Sequence, residues 1–415
     1  MKTELRNFLE ARTEPREALL LLIIFNIFWL PSLAYGFLWD DATHVTFSFD
    51  EAWQRSLDHA FRPLYLFSFP VISNIFGLDP WIHRIVNLGL INLTMICLYQ
   101  SLPKPSRVTL LGFSVVFTHP ALLFPVTWIA ARNDAMLLAL VALAILQLRR
   151  GKTGMYPLVL SFLCKVPFVL HGLFFMVILV VRRRLVTAAI VMTFIVLMIW
   201  VSFESGYRSQ IDSHSLVNKL GADWMTVMLA RGAKGVEAII LVFVPFPAFY
   251  HLPLWGFSIF AYVLLWSVLV FWGNVRLPDG LTSVSIQTWM KQYGAWILAL
   301  GLLSLPPLVF NSQLRVVAVA AVLIQFGLLL LCRDLSSRAH ALVALLALNI
   351  LGLMQNYRLS DTGYMMVGAV PTAERVDAYC QTNRVPISHW DCERNLLVGR
   401  IMDSMSRPTP KDGTN

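Results

Sequence analysis

Apolar residues run along this chain in long blocks, broken by short clusters of Arg, Lys, Pro and Gly. A helix needs about 20 predominantly apolar residues to cross a bilayer, with about 17–25 usual. By that measure the pattern predicts eleven crossings, at 17–38, 82–102, 108–126, 134–148, 154–166, 167–181, 185–202, 253–272, 293–310, 315–332 and 339–355. The stretch 154–181 reads as a helical hairpin turning near Lys165-Val166-Pro167. Two further apolar stretches, 63–78 and 236–250, contain Pro70, Pro245 and Pro247. They read as partial or interfacial segments whose backbone must find partners within the protein. The fold class expected is all-α: a polytopic transmembrane helical bundle over 1–355, with outward loops at 39–81 and 203–252 and a small tail at 356–415. No tetratricopeptide, coiled-coil or collagen-like repeat is present. The closing residues SRPTPKDGTN have a disordered composition.

Charge orients this bundle. One set of connections holds Arg6, Arg12 and Arg16; Lys104 and Arg107; Arg149, Arg150 and Lys152; Arg182, Arg183 and Arg184; Arg276 and Lys291; Arg333 and Arg338. Short loops rich in Lys and Arg stay in the cytoplasm, so the N-terminus is expected inside and the C-terminus outside. The chain is 57% hydrophobic and 14% charged, where soluble domains run near half and a quarter. Its net charge of +9 follows from residues flanking spans. No basic stripe with interleaved aromatics points to nucleic acid. The charged N-terminus and first apolar run lack a small-residue cleavage site, so a retained first span is expected.

Cys97, Cys164 and Cys332 lie in apolar runs and read as packing residues. Cys380 and Cys392 lie in the polar tail, at a spacing that suits a small disulfide loop in an oxidising compartment. His389 is nearby, but three ligands without a fourth make no zinc site, and no metal is expected there.

The candidate chemistry starts in LWDDATH, residues 38–44, where Asp40 and Asp41 follow the first apolar run directly. Adjacent carboxylates at a membrane boundary are costly unless solvated, paired or used. One at an apolar edge can serve as a general base near neutral pH; the alternative is a turn pair facing water. Arg62, in FRPL, fits an ion pair or a phosphate contact, or else snorkels beside an amphipathic segment. His83 and Arg84 open the next span, as site residues or as a polar cap. His119-Pro120 and Trp128-Ile-Ala-Ala-Arg132-Asn-Asp134 flank a short outward turn, and Arg132 and Asp134 have the option of pairing with each other. Lys165 lies within an apolar run, where a charge needs water or a partner such as a lipid phosphate. Arg315, after PPLVFNSQL, is an outward cation at a span mouth, and a guanidinium there suits bidentate phosphate binding. Two carboxylates and at least four edge cations on one face suit an anionic, lipid-linked substrate. The cations would hold its phosphate and a carboxylate would deprotonate an acceptor hydroxyl. There is no G-x-G-x-x-G after a strand and no P-loop.

The ordered set WDD, FRPL, FGLDPWIHRIVNL, HP, W-x3-R-x-D and mid-span LCK resembles the GT-C superfamily of polyprenyl-phosphate-dependent glycosyltransferases. Within it, the set is most similar to the O-mannosyltransferase-like branch whose eukaryotic members carry tetratricopeptide repeats. The landmarks run over residues 1–320 and are densest over 38–135. The resemblance implies a general base at Asp40 or Asp41, and it carries the Arg-Pro-Leu and His-x-x-x-Asn landmarks to Arg62 and to His83 with Asn87. The mid-span basic position falls on Lys165, where Val166 stands in place of the Glu common in the family. The repeat domain is missing, so the resemblance says nothing of acceptor choice.

The expected activity is therefore an integral-membrane glycosyltransferase of the cell envelope, of GT-C type. It would move a sugar, with inversion, from a polyprenyl-phosphate donor to a hydroxyl of a glycan, lipid or protein acceptor. Its site would face the periplasm of a bacterial inner membrane, or an equivalent outer side. Membrane lipids are its other partners, and no cofactor beyond the lipid-linked donor is implied. The competing readings are a transporter or flippase of a lipid-linked anion, and a structural subunit of an envelope complex. A transporter would use the same cations without a base, and inverted repeats would mark it; the sequence shows none.

Mass spectrometry of unreduced protein taken from its native compartment should find Cys380 joined to Cys392, a bridge worth about 2–4 kcal/mol if unstrained. Two free thiols there would exclude it.

Overall fold

The structure is a computed structural model that describes residues 2–34, 41–58, 61–102, 105–165, 169–181, 183–202, 224–244, 255–271, 286–305, 314–332 and 335–358. Asp40, Cys380, His389, Cys392 and the expected tail lie outside the described residues, as does most of the expected loop 203–252. Arg315 falls in a helix, but its side chain is outside them too.

The described residues are all-helical, apart from one isolated β-bridge between Arg12 and Ser106. In chain order the helices are α1 (Lys2–Glu10), α2 (Pro15–Trp29), α3 (Asp41–Val45), α4 (Phe49–Asp58), α5 (Pro63–Phe76), α6 (Pro80–Ser101), α7 (Arg107–Phe117), α8 (Leu123–Thr127) and α9 (Arg132–Arg149). They continue with α10 (Met155–Phe162), α11 (Val169–Val181), α12 (Leu185–Ser202), α13 (Trp224–Phe243), α14 (Trp255–Phe271), α15 (Ile286–Leu302), α16 (Leu314–Leu331) and α17 (Ala339–Arg358). Short 3₁₀ turns cover Leu30–Ala34, Pro120–Leu122, Ile129–Ala131 and Leu335–Arg338.

Prolines set several of these starts. Pro15, Pro63 and Pro80 each open a helix, a position where the missing N–H costs nothing and the fixed φ is already helical. Gly77, at φ 88°, ends α5, and its N–H donates to the Ser73 carbonyl at 2.9 Å.

Among the described residues, four helices are long and apolar enough to cross a membrane: Pro15–Leu33, Pro80–Ser101, Ile129–Arg149 and Ser336–Met354. A fifth arises if α7 and Pro120–Thr127, which meet at 54°, form one broken span. The protein is thus an α-helical chain with membrane-spanning character, and among the described residues four or five of the eleven crossings expected from sequence are helices of full membrane length. Two differences are instructive. The expected crossing 154–166 is the eight-residue α10, which rises only about 12 Å. Residues 236–243 of the expected partial segment 236–250 belong to α13, a continuous helix of 20 residues, and 245–250 lie outside the described residues. Arg231, Lys234 and Glu237 interrupt its apolar run, but these are residue types that form helix readily. The stretch 63–78, also read as partial, is the 14-residue α5 with Pro70 inside it.

One large core joins α2, α6, α7, α9 and the later helices. A smaller one gathers Val45, Phe47, Tyr65, Leu66, Phe69 and Ile129 under α3 and α5. Polar clamps tie helices together inside the bundle. Asn26 and Asn92 exchange amide hydrogen bonds of 3.2 and 2.7 Å between α2 and α6. Asn349 of α17 donates to the Val115 carbonyl of α7 at 2.7 Å and accepts from the Tyr262 hydroxyl. Such bonds replace water that the bilayer cannot supply. Large apolar side chains such as Ile23, Ile27, Val186, Val196, Phe257 and Phe260 face outward, as a lipid-facing surface requires. The N-terminal α1 docks through Glu10, which accepts from Ser336 at 2.6 Å and from Arg6 at 2.8 Å. Those two donors, the hydroxyl first, hold the Glu10 carboxyl below its ordinary range.

The most extensive helix contact is between α15 and α16. A Cβ at Gly327 would lie 2.6 Å from the Leu298 backbone nitrogen and 2.9 Å from the Gly294 carbonyl oxygen; at Gly301 it would lie 2.7 Å from the Ile324 nitrogen. Small residues here let two backbones touch, which is how helices gain dispersion energy in lipid. Gly327→Ala should therefore force the pair apart and destabilise the protein by about 1–3 kcal/mol. Gly89→Ala, where a Cβ meets nothing within 4 Å, should be neutral or slightly stabilising. Thermal unfolding in detergent checks both, and equal behaviour of the two variants would contradict the close-packed hairpin.

Candidate functional site

The segment after α7 cannot stay helical. Pro120 holds His119 in an extended conformation, and Trp128, also extended, interrupts the chain again before α9. Residues 120–131 therefore fold as short helical turns with backbone groups left over, all of them buried except the half-buried Phe124. Such groups inside a membrane protein need partners from the protein itself.

Those partners are side chains singled out from sequence, joined by Tyr65. Arg84 Nε donates to the Thr127 carbonyl at 2.6 Å. Asn87 Nδ2 donates to the Trp128 carbonyl at 3.1 Å, and the Tyr65 hydroxyl to the Ala130 carbonyl at 2.7 Å. The Ala130 N–H donates to Asp41 Oδ1 at 2.8 Å, and Asp41 Oδ2 lies 3.7 Å from Arg84 Nη2. Asp41 and Arg84 are both 0% exposed. The broken turn is thus clamped from α3, α5 and α6 at once.

Arg132, at the start of α9, completes the knot. Its Nε donates to Asn87 Oδ1 at 2.9 Å, Nη1 to Ser68 Oγ at 3.1 Å, and Nη2 to the His83 carbonyl at 3.3 Å and to His83 Nδ1 at 3.0 Å. The guanidinium also lies 4.4 Å from the centre of the Phe69 ring. An arginine only donates, so His83 Nδ1 must accept and the imidazole is neutral with its proton on Nε2. That proton points to Ser73 Oγ at 3.4 Å, and the Ser73 hydroxyl donates to the Val45 carbonyl at 2.6 Å. A directed chain of hydrogen bonds thus runs from Arg132 through His83 and Ser73 to the end of α3.

The pairing open to Arg132 and Asp134 does not form. Asp134 is bound instead by Lys165, so this lysine has a carboxylate partner. Among the described residues no carboxylate lies within ion-pair distance of Arg132, which is fully buried. The local field is therefore positive. The Leu64 N–H donates to the Leu163 carbonyl at 3.2 Å and joins the start of α5, next to Arg62, to the end of α10, next to Lys165. Arg62 places its guanidinium 5.2 Å from the Tyr65 ring centre, and its buried Nε has no hydrogen-bond partner.

Asp41, His83, Arg84, Arg132, Asp134 and Lys165 are thus brought together, with Arg62 at the edge. His119 stands apart in role: its Nδ1 accepts the Ala121 N–H at 3.2 Å and caps the 3₁₀ turn. Among the described residues no group of three or more His, Cys, Asp or Glu gathers as metal ligands would. Sequence reasoning missed Tyr65, Ser68 and Ser73. Their signal was present: with Phe69 and Ile72 they follow the helical i, i+3, i+4, i+7, i+8 pattern of a buried face. No protein-family profile, curated protein or solved structure matches this chain.

Arg132→Lys keeps the charge but loses the fork that serves Asn87, Ser68 and His83. It should cost about 2–3 kcal/mol. Reaction of the buried thiols Cys97 and Cys164 with a fluorescent reagent during heating would report it; an unshifted unfolding temperature would remove Arg132 from the knot.

Proposed function

We propose that the protein is an integral-membrane glycosyltransferase that uses a sugar donor linked to a lipid phosphate, of polyprenyl type and GT-C character. The observation that carries this reading is the concentration of buried charge around one broken span. Arg132, Arg84, Lys165 and Arg62 make the region positive, and it lies beside the residues that follow the first span. A buried guanidinium without a carboxylate is costly in a structural role alone, and a positive region of low dielectric favours an anionic phosphate. The roles follow from position. Lys165 and Arg62, at the edge, contact the donor phosphate, and Arg315 is a further candidate. Asp41 is already committed to the Ala130 N–H and to Arg84, so it positions the first loop. The neighbouring Asp40 serves as general base on the acceptor hydroxyl of a glycan, lipid or protein, and attack at the anomeric carbon inverts it.

The eleven-crossing topology, with this site on the extracytoplasmic side, belongs to the same proposal. Its support is the separation of charge along the bundle. From Arg132 to Arg149, α9 runs 18 residues, a rise of about 27 Å. It leads from the candidate site to the end where Arg16, Arg107 and Arg150 collect.

Turnover of a polyprenyl-linked sugar by purified variants tests the assignment. Asp40→Asn should fold, insert and bind donor lipid yet lose transfer by roughly 10²-fold or more. Asp41→Asn should lose less turnover and more thermal stability. Loss of turnover confined to a well-folded Asp41→Asn would move the base to Asp41. Near-normal turnover in both would overturn the acid-pair mechanism and favour a transporter of a lipid-linked anion.

A further inference from the structure

At the opposite end of the bundle, the corner between α1 and α2 is pinned to the turn between α6 and α7. The Thr13 N–H donates to the Pro105 carbonyl at 3.0 Å, the Arg107 N–H to the Ala11 carbonyl at 3.2 Å, and Arg107 pairs with Glu17 at 2.7 Å. Between these elements lies an open cavity of about 460 Å³ with mixed polar and apolar walls, Arg12, Thr13, Glu14, Tyr99 and Gln100 among them. Pro15, Tyr99 and Gln100 also line a second cavity of about 220 Å³, whose other walls are apolar, including Leu19, Leu22, Met95, Ile96 and Phe113. From Pro15 to Leu22 this slot runs about 10 Å along α2. One helical turn further on stands the Asn26–Asn92 pair.

Two features say that the larger cavity is built for a ligand. Thr13 is 6% exposed, and its buried hydroxyl has no hydrogen-bond partner, an arrangement that ordinarily calls for a bound group. The charges at the mouth are also unbalanced. Glu14 is taken by Arg16 at 2.6 Å and Glu17 by Arg107. Arg12 has no contacting carboxylate among the described residues, and neither has Arg150, which donates to Gln100 at 2.8 Å. Beside the mouth, α1 exposes Leu5 and Phe8 together, as a helix lying in a membrane surface does.

A cationic mouth that opens onto an apolar slot matches an amphiphile with an anionic head. We propose that this groove binds one anionic phospholipid of the leaflet on the protein's basic side. Its phosphate meets Arg12, Arg150 and the Thr13 hydroxyl, and the first part of one acyl chain lies along Leu19, Leu22 and Ile96. The site is separate from the proposed catalytic one, at the far ends of α2 and α6.

The test uses full-length protein in phosphatidylcholine vesicles doped with phosphatidylglycerol or phosphatidylcholine, each carrying the same photoreactive acyl chain. The phosphatidylglycerol probe should label peptides of α2 and α6 preferentially. Arg12→Gln, an exposed change, should lower that labelling about fivefold, and Leu22→Trp should block it while labelling of other lipid-facing helices persists. Equal labelling by the two probes, even labelling around the bundle, or an unaffected Arg12→Gln variant would overturn the proposal. Suppression by polyprenyl phosphate but not by unlabelled phosphatidylglycerol would overturn it too, and would give the groove to the donor lipid.

Discussion

A helix broken inside a membrane exposes backbone groups that no solvent can reach, and this structure is organised around satisfying them. Pro120 and the extended Trp128 interrupt the chain between α7 and α9. Three carbonyls and one N–H of the resulting turn are then bonded by Arg84, Asn87, Tyr65 and Asp41, side chains drawn from α3, α5 and α6. Irregular backbone at membrane depth is tolerated only where it is buried in protein or lines a cavity. Here it is buried, and the price is a cluster of charge in a low dielectric.

That cluster orders the first 165 residues. Asp41 fixes where the chain goes after the first span. Arg132 fixes α9 against α5 and α6, and Lys165 fixes α10 against α9 through Asp134. Positioning and electrostatics are therefore not separable in this region: each buried cation both holds a turn in place and contributes to a positive field. The opposite end of the bundle follows the same rule: its acids pair with Arg16 and Arg107, while Arg12 and Arg150 contact no carboxylate among the described residues. The two ends of one bundle thus present two distinct cationic environments.

The remainder of the fold is held by contact rather than by charge. Lipid is as apolar as a leucine side chain, so burial alone gives little drive for helices to associate. The α15–α16 pair answers with glycines that bring backbones into touch, and other helices with single polar clamps such as Asn26–Asn92 and Asn349–Val115.

The sequence by itself determined the all-helical, membrane-spanning character, because long apolar runs leave the backbone no other way to bond itself. It also marked the chemistry: Asp41, Arg62, His83, Arg84, Asn87, Arg132, Asp134 and Lys165 stand out as polar residues in apolar surroundings, and they converge. Tertiary structure decided who partners whom. Arg132 and Asp134 are neighbours in sequence, yet Arg132 turns to Asn87, Ser68 and His83 while Lys165, 31 residues away, takes Asp134. Adjacency fixes distance along the chain but not which acceptors a fold brings within 3 Å. Likewise the length of α13 and the half-length of α10 escaped the apolar pattern. Hydropathy reports cost in lipid, whereas a helix ends where its backbone loses partners or meets a proline.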